Sequence, residues 1–330
     1  MTVQLPAQKV DFQNIHFAIS PLLLFPDAFS TFRVFLKTKG RYVLYTREKE
    51  VFTPEHRNRL FENNVKVVHV LTTQKKEFET YLKDNLGKIL TNELYPVEQR
   101  ATVLYESAQT IAEEVFRDKL AGAIKPESMD SLRKLMAESV KFLKHEDTFK
   151  KIGPLIRGGH QIFTHSVNVM IITLSILKTY DMDEETMVQT GIGALLHDIG
   201  KTGMPAKLIR KQSDFTPREL DLLRAHPMRG VGRCSMLPLD HIPLKCILLH
   251  HEREDGQGYP AGLQGKDIPL PVKALIVANI YDNTTTHGSG DSGGMKPFKA
   301  LSHMNDALRG AYNPEVYKRL VMILSGAGLI

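Results

Sequence analysis

Cysteine is scarce: in 330 residues the chain holds only Cys234 and Cys246, with no CxxC spacing. So small a supply excludes a disulfide framework and a closed thiolate zinc site, and it suits a reducing compartment. Long apolar runs are missing too. No stretch approaches about 18 consecutive apolar residues, the length of a membrane span, and Leu22-Leu-Leu-Phe25 is short enough to be core. The opening MTVQLPAQKVDFQ has neither the basic start nor the apolar centre of a leader. These absences give the expectation of a cytoplasmic protein with no membrane partner. Excess charge is modest, a formal +6 without a lysine-rich tail. That balance favours an anionic small molecule and leaves no footprint for a DNA or RNA polymer. No internal repeat is found, and the only low-complexity stretch, Gly288-Ser-Gly-Asp-Ser-Gly-Gly294, is a flexible loop by composition.

What is present is an ordinary globular composition, 42% hydrophobic and 24% charged, so a packed core is expected. At this length two domains are more natural than one. The expected organisation is α+β: a small α/β regulatory or docking module over 1–95, a helical linker or domain start over 96–150, and an all-α domain over 151–330. In the module, Phe32-Arg-Val-Phe-Leu and Arg41-Tyr-Val-Leu-Tyr flank a Gly-containing turn and predict a hairpin. Thr53 caps a helix that Pro54 opens, residues 65–71 form a further strand, and 75–90 form an amphipathic helix. Apolar residues then recur at helical spacing from Val97 to about Leu120 and again after Pro126, for core or dimer packing.

Beyond Pro154 the pattern is helical throughout, with helices expected near 162–180, 185–199, 216–226, 242–252, 270–283, 298–309 and 314–325. Two have explicit starts: Thr216-Pro-Arg-Glu219 is a capping box, and Asn313 precedes a helix-compatible Pro314.

Seven of the thirteen histidines fall between His160 and His251. In Ala194-Leu-Leu-His-Asp-Ile-Gly-Lys201 an apolar helix ends on adjacent imidazole and carboxylate groups, and a buried carboxylate is costly unless paired or metal-bound. Side chains one residue apart on a helix diverge by about 100°, so His197 and Asp198 can address two ions, or the carboxylate can bridge them. Further ligands are available in His165, His226, His250 and His251. Imidazole with carboxylate suits iron, manganese, zinc or nickel, and the lack of thiolates points to a catalytic site. Isolated His16, His56, His145, His241, His287 and His303 read as surface or packing residues, His160 as a helix-start residue, and Lys207, Arg210 and Lys211 as a solvated face.

His197-Asp-Ile-Gly-Lys201 and His250-His-Glu-Arg-Glu-Asp-Gly-Gln-Gly-Tyr-Pro260 resemble the two signature motifs of HD-GYP cyclic di-GMP phosphodiesterases. His165, 32 residues before His197, and His226, 29 residues after it, sit at spacings similar to that family's, over roughly residues 155–325. The resemblance implies that His165, His197, Asp198, His226, His250 and His251 hold two divalent transition metal ions, with Asp198 bridging. Iron or manganese is implied first, with zinc and nickel open. It implies a metal-bridging hydroxide that opens the cyclic dinucleotide to pGpG, with slower conversion on to GMP left open. Lys201 would lie by the scissile phosphate, and Gly256, Gly258, Tyr259 and Pro260 would shape the loop that meets the substrate and, in some members, a GGDEF-domain partner.

Three positions depart from the family pattern. Where an aspartate ligand is usual, 28 residues beyond His251, this chain has Asn279, a weak or absent ligand. Asp282 lies one helical turn further and is an optional substitute, its family counterpart usually standing behind a ligand. Gln161 replaces the acid of three-metal members. Lys296-Pro-Phe298 stands where Arg-Pro-Tyr is usual, so Lys296 and Lys299 are the candidate phosphate contacts, without bidentate geometry. Besides the phosphodiesterase, two readings stay open: a catalytically impaired protein that senses the dinucleotide or a GGDEF partner, and an HD nucleotide phosphohydrolase, which leaves the GYP segment unexplained.

Overall fold

The computed structural model describes residues 15–93, 95–117, 126–144, 148–156, 161–211, 213–287 and 294–330. His145, His160 and most of the glycine-rich stretch after His287 lie outside the described residues. The chain divides into two compact units, Met1–Ile89 and Leu90–Ile330.

The first unit is built on antiparallel strands: β1 His16–Ile19, β2 Ala28–Ser30, β3 Val34–Thr38, β4 Arg41–Thr46, β5 Glu50–Phe52 and β6 Val68–Leu71. One sheet has the order β1-β6-β3-β4, and β2 pairs separately with β5. The predicted hairpin is β3–β4, with Lys37 opposite Tyr42 and Thr38 opposite Arg41. Helix α1, Pro54–Glu62, starts at Thr53, whose hydroxyl accepts from the His56 amide while His56 returns a ring nitrogen to the Thr53 amide. Such caps contribute about 1 kcal/mol. Helix α2, Lys75–Leu90, buries Phe78, Tyr81 and Leu82 and packs Phe78 and Tyr81 against Phe25 and Phe32. Tyr81 keeps its buried hydroxyl satisfied by accepting from the Phe25 amide at 2.6 Å.

In the second unit the described regular structure is helical: α3 Val97–Arg117, α4 Pro126–Leu143, α5 Thr148–Ile152, α6 Ile162–Lys178, α7 Glu184–Leu196, α8 Ala206–Arg210, α9 Pro217–Arg224, α10 His226–Cys234, α11 His241–Leu249, α12 Leu270–His287, α13 Pro297–Ala307 and α14 Pro314–Gly326. Helix α6 is apolar almost all round and buried from His165 to Leu177, as expected of a central helix. It packs on α3, α7 and α12, while α7 packs on α4 and α11. Small residues set these close crossings: a Cβ on Gly193 would meet Cys246, and one on Gly200 would run into the main chain of α10 at His226. That glycine lets the turn after α7 approach α10, which brings Asp198 to His226.

Candidate metal centre

Every predicted histidine ligand sits at the start, first turn or C-terminal boundary of a helix. His165 lies in the first turn of α6, His197 is the C-cap of α7, His226 opens α10, and His250 is the C-cap of α11 with His251 next. The five imidazoles and Asp198 converge in two groups that share the carboxylate: Asp198 with His226, His250 and His251, and Asp198 with His165 and His197. Within each group the candidate ligand atoms all lie within 4.8 Å of one another.

The hydrogen bonds fix the tautomers. His197 Nδ1 donates to the Ala194 carbonyl at 2.7 Å, His226 Nδ1 to Leu223 at 2.6 Å, and His250 Nδ1 to Ile247 at 2.8 Å. A carbonyl oxygen only accepts, so in the neutral rings each Nε2 carries a lone pair. His165 Nδ1 is held by Asp282 Oδ2 at 2.7 Å, with the same effect on its Nε2. Yet His197 Nε2 lies 3.2 Å from His165 Nε2, and His226 Nε2 lies 2.9 Å from His250 Nε2. Asp198 faces both pairs. Its Oδ1 is 3.2 Å from His226 Nε2 and 3.6 Å from His250 Nε2, while its Oδ2 is 3.5 Å from His197 Nε2 and 3.7 Å from His165 Nε2. Among the described residues, the buried Asp198 Oδ1 has no hydrogen-bond partner.

Electrostatics agree with this reading. Burial pushes His197 and His251 well below the usual histidine range and His250 down to about 4, so these rings are neutral at physiological pH. Burial works to raise the Asp198 carboxyl, but the lowering effects, led by the Lys201 ammonium 2.7 Å from Oδ2, outweigh it, and the group is held well below the usual carboxylate range. Inward-facing lone pairs around an anion repel one another unless cations sit among them. The donor set therefore fits divalent ions of borderline softness.

Around this cluster the other predicted residues take distinct places. Asp282 is buried behind His165 and outside both ligand groups: its second oxygen accepts from Asn168 Nδ2 at 2.9 Å. Asn279 is buried, and its Oδ1 accepts from Asn283 Nδ2 at 2.8 Å. Tyr259 stacks on His251 with ring centroids 4.6 Å apart, and the Arg224 guanidinium lies over the Tyr259 ring at 5.8 Å from its centroid. Gly256 has φ +74°, and a Cβ on Gly258 would strike the backbone at His251 and Glu252, so the loop requires both glycines. Pro260 follows Tyr259 through a cis peptide bond and is exposed. Lys296 precedes α13, and Lys299 is exposed in its first turn.

The sequence reading missed Glu252, whose buried carboxylate accepts from the Ala261 amide at 2.7 Å and the Leu263 amide at 2.8 Å and so pins the loop to the second histidine pair. An acid directly after His250-His251 was the available signal. Arg224 was missed as well, though it stands two residues before His226. Tyr105 and Asn168, hydrogen-bonded beside Asp282, carried no signal apart from helical periodicity.

A protein-family model described as the HD domain matches residues 130–316, more than half of the chain. A cyclic di-GMP phosphodiesterase of Pseudomonas aeruginosa is 27% identical over 231 residues, 68% of this chain and 53% of its own length. A probable cyclic di-GMP phosphodiesterase of Vibrio cholerae is 35% identical over 138 residues, 38% of this chain and 31% of its own. The chain thus spans about half the length of the first of these relatives and less of the second. Among solved structures, Bd1817, an HDG"Y"P protein from Bdellovibrio bacteriovorus, superposes with a TM-score of 0.68 at 24% identity, covering 94% of this chain and all of that one, a likeness of fold.

Proposed function

We propose that this chain, which belongs to the HD domain family and to its HD-GYP branch, is a metal-dependent phosphodiesterase that hydrolyses cyclic di-GMP to pGpG. The observation that carries the proposal is the shared carboxylate: Asp198 turns one oxygen to His226 and His250 and the other to His165 and His197. Two transition ions, iron or manganese by preference, would be held on those two sides, with Asp198 between them. When bound, such ions make water nucleophilic near neutral pH and neutralise charge on a phosphoryl oxygen.

The chain's own residues supply the rest. Lys201 stands where a buried anionic site meets solvent: its side chain is 22% exposed and that of Asp198 3%. There its ammonium can neutralise charge growing on the phosphate or give a proton to the departing ribose oxygen. Tyr259 and Arg224 put an aromatic ring and a guanidinium beside the histidines, chemistry that suits a purine nucleotide. Glu252, by fixing the Ala261 and Leu263 amides, keeps that ring in place. Lys296 and Lys299 we assign to phosphate contact, and the Gly256–Pro260 loop to substrate and to a GGDEF-domain partner. Among the described residues no helix is long and apolar enough to cross a membrane, and we take the site of action as cytoplasmic.

One observation favours a second reading. Asn279 puts a neutral amide where a carboxylate is usual, and its oxygen already accepts from Asn283, which would suit a sensor that binds the dinucleotide without turnover. Purification without oxygen, loading with iron or manganese and incubation with cyclic di-GMP separates the two. Release of pGpG supports the enzyme. Tight binding without product selects the sensor.

A further inference from the structure

The His165 side of the cluster is oriented differently from the rest. His197 and His250 lean on main-chain carbonyls of their own helices, and His226 on the Leu223 carbonyl of the preceding α9, which no side-chain change removes. His165 leans on a chain of side chains instead. Its Nδ1 donates to Asp282 Oδ2 at 2.7 Å, Asn168 Nδ2 donates to Asp282 Oδ1 at 2.9 Å, and the Tyr105 hydroxyl donates to Asn168 Oδ1 at 2.7 Å. All four residues are buried, and they come from α3, α6 and α12.

The donors and acceptors fit in one direction only. Asn168 gives its amide hydrogen to the Asp282 carboxylate, so its oxygen must face Tyr105, and the phenol must donate. Turning the amide over would set its oxygen against the carboxylate oxygen. Tyr105 thus holds the amide in the sense that keeps Asp282 fixed, and Asp282 fixes the ring whose Nε2 lies 3.2 Å from His197 Nε2 and 3.7 Å from Asp198 Oδ2.

We propose that Tyr105 and Asn168 are positioning residues for the His165 side of the metal centre, acting through Asp282. The inference rests on the two-ion reading above. Residues behind a ligand typically tune metal affinity by tens of fold, and because His226 and His250 on the opposite side of Asp198 are oriented by carbonyls, the effect should fall on one ion alone.

The test is manganese(II) binding to the full chain, unaltered and as Tyr105→Phe and Asn168→Ala, followed by chelator competition and electron paramagnetic resonance. The expected result is one ion bound about tenfold more weakly in each variant with the other unchanged, and a spin-coupled pair giving way to isolated manganese as chelator rises. Unchanged affinity for both ions in a folded variant overturns the proposal. So does equal weakening of both together with a lower melting temperature of the metal-free protein, which marks a merely structural role. Asn168→Ala carries the same expectation independently if Tyr105→Phe does not fold. An unaltered chain that binds no manganese overturns the two-ion reading itself, a result distinguishable from any of these.

Discussion

His226 and His250 point their Nε2 atoms at each other across 2.9 Å, although each spends its Nδ1 proton on a main-chain carbonyl. Two lone pairs at that distance gain nothing from one another. The arrangement is held by the packing of α10 on α11 and becomes favourable when a cation takes both. Protons compete for the same nitrogens, which gives the first prediction.

Burial lowers the His250 ring from 6.5 to about 4 and lowers His197 and His251 as well. An unfolded chain takes up protons on these histidines near pH 6.5, while in the folded chain the His250 ring resists until about pH 4 and the buried His197 and His251 rings resist as well. Their contribution to stability is therefore whole above the unfolded value and is lost as pH falls through that window. The melting temperature of metal-free protein should be flat above pH 7 and fall steadily below about 6.5, and bound metal should be released over the same range. A melting temperature indifferent to pH between 7 and 4.5 would count against neutral, inward-facing rings.

Asn279→Asp should raise metal affinity about tenfold, by the scale of ligand-environment effects, and raise turnover with it. The added carboxylate is buried and stabilised only if a cation is near. Chelator competition and product release read the two effects. Loss of stability without a gain in metal retention would mean that position 279 does not reach the ions.

Glu252→Gln leaves the side chain's shape but sets an amide donor against one of the two loop N–H groups it now serves. Burying that mismatch costs about 1–3 kcal/mol, and the loop carrying Tyr259 should loosen from His251. We expect a higher KM for the dinucleotide with metal content unchanged. Loss of metal instead would place Glu252 closer to ligand orientation than to substrate.

Burial pushes both cysteine thiols up to about 12. Only a minute thiolate fraction then exists at pH 8, and neither sulfur is reachable. Native protein should resist alkylation at both Cys234 and Cys246, and denatured protein should react at both. Mass spectrometry after a timed iodoacetamide pulse checks this, and a rapidly labelled native cysteine would contradict the packing of α10 or α11.

Much of the helical unit was legible because its apolar periodicity is long and its caps are explicit: Thr216 and Glu219 form the predicted capping box, and the Asn313 side chain accepts from the amides of Glu315 and Val316. Strands β3, β4 and β6 were legible too, but β1, β2 and β5 were not: β2 and β5 hold three residues each, and β1 finds its partner only in β6, far along the chain, so no local pattern marks these three. At the site, the histidines announced themselves through motif and spacing. What lay behind them did not, since Asp282, left as an optional ligand by the sequence, is committed to His165 and Asn168 by contacts between α6 and α12, and Tyr105 is one buried residue in an apolar stripe. Hydrogen-bond direction is a property of three-dimensional neighbours and has no signature along the chain.

The most direct test is the metal content of the unaltered chain and of Asp198→Ala, each purified without oxygen and supplemented with iron or manganese. If one carboxylate serves both groups, the unaltered chain carries about two ions, as in two-metal phosphodiester chemistry, and the variant, still folded, retains neither at full affinity. An unaltered chain that stays empty, or a variant that keeps both ions as tightly, would contradict the account.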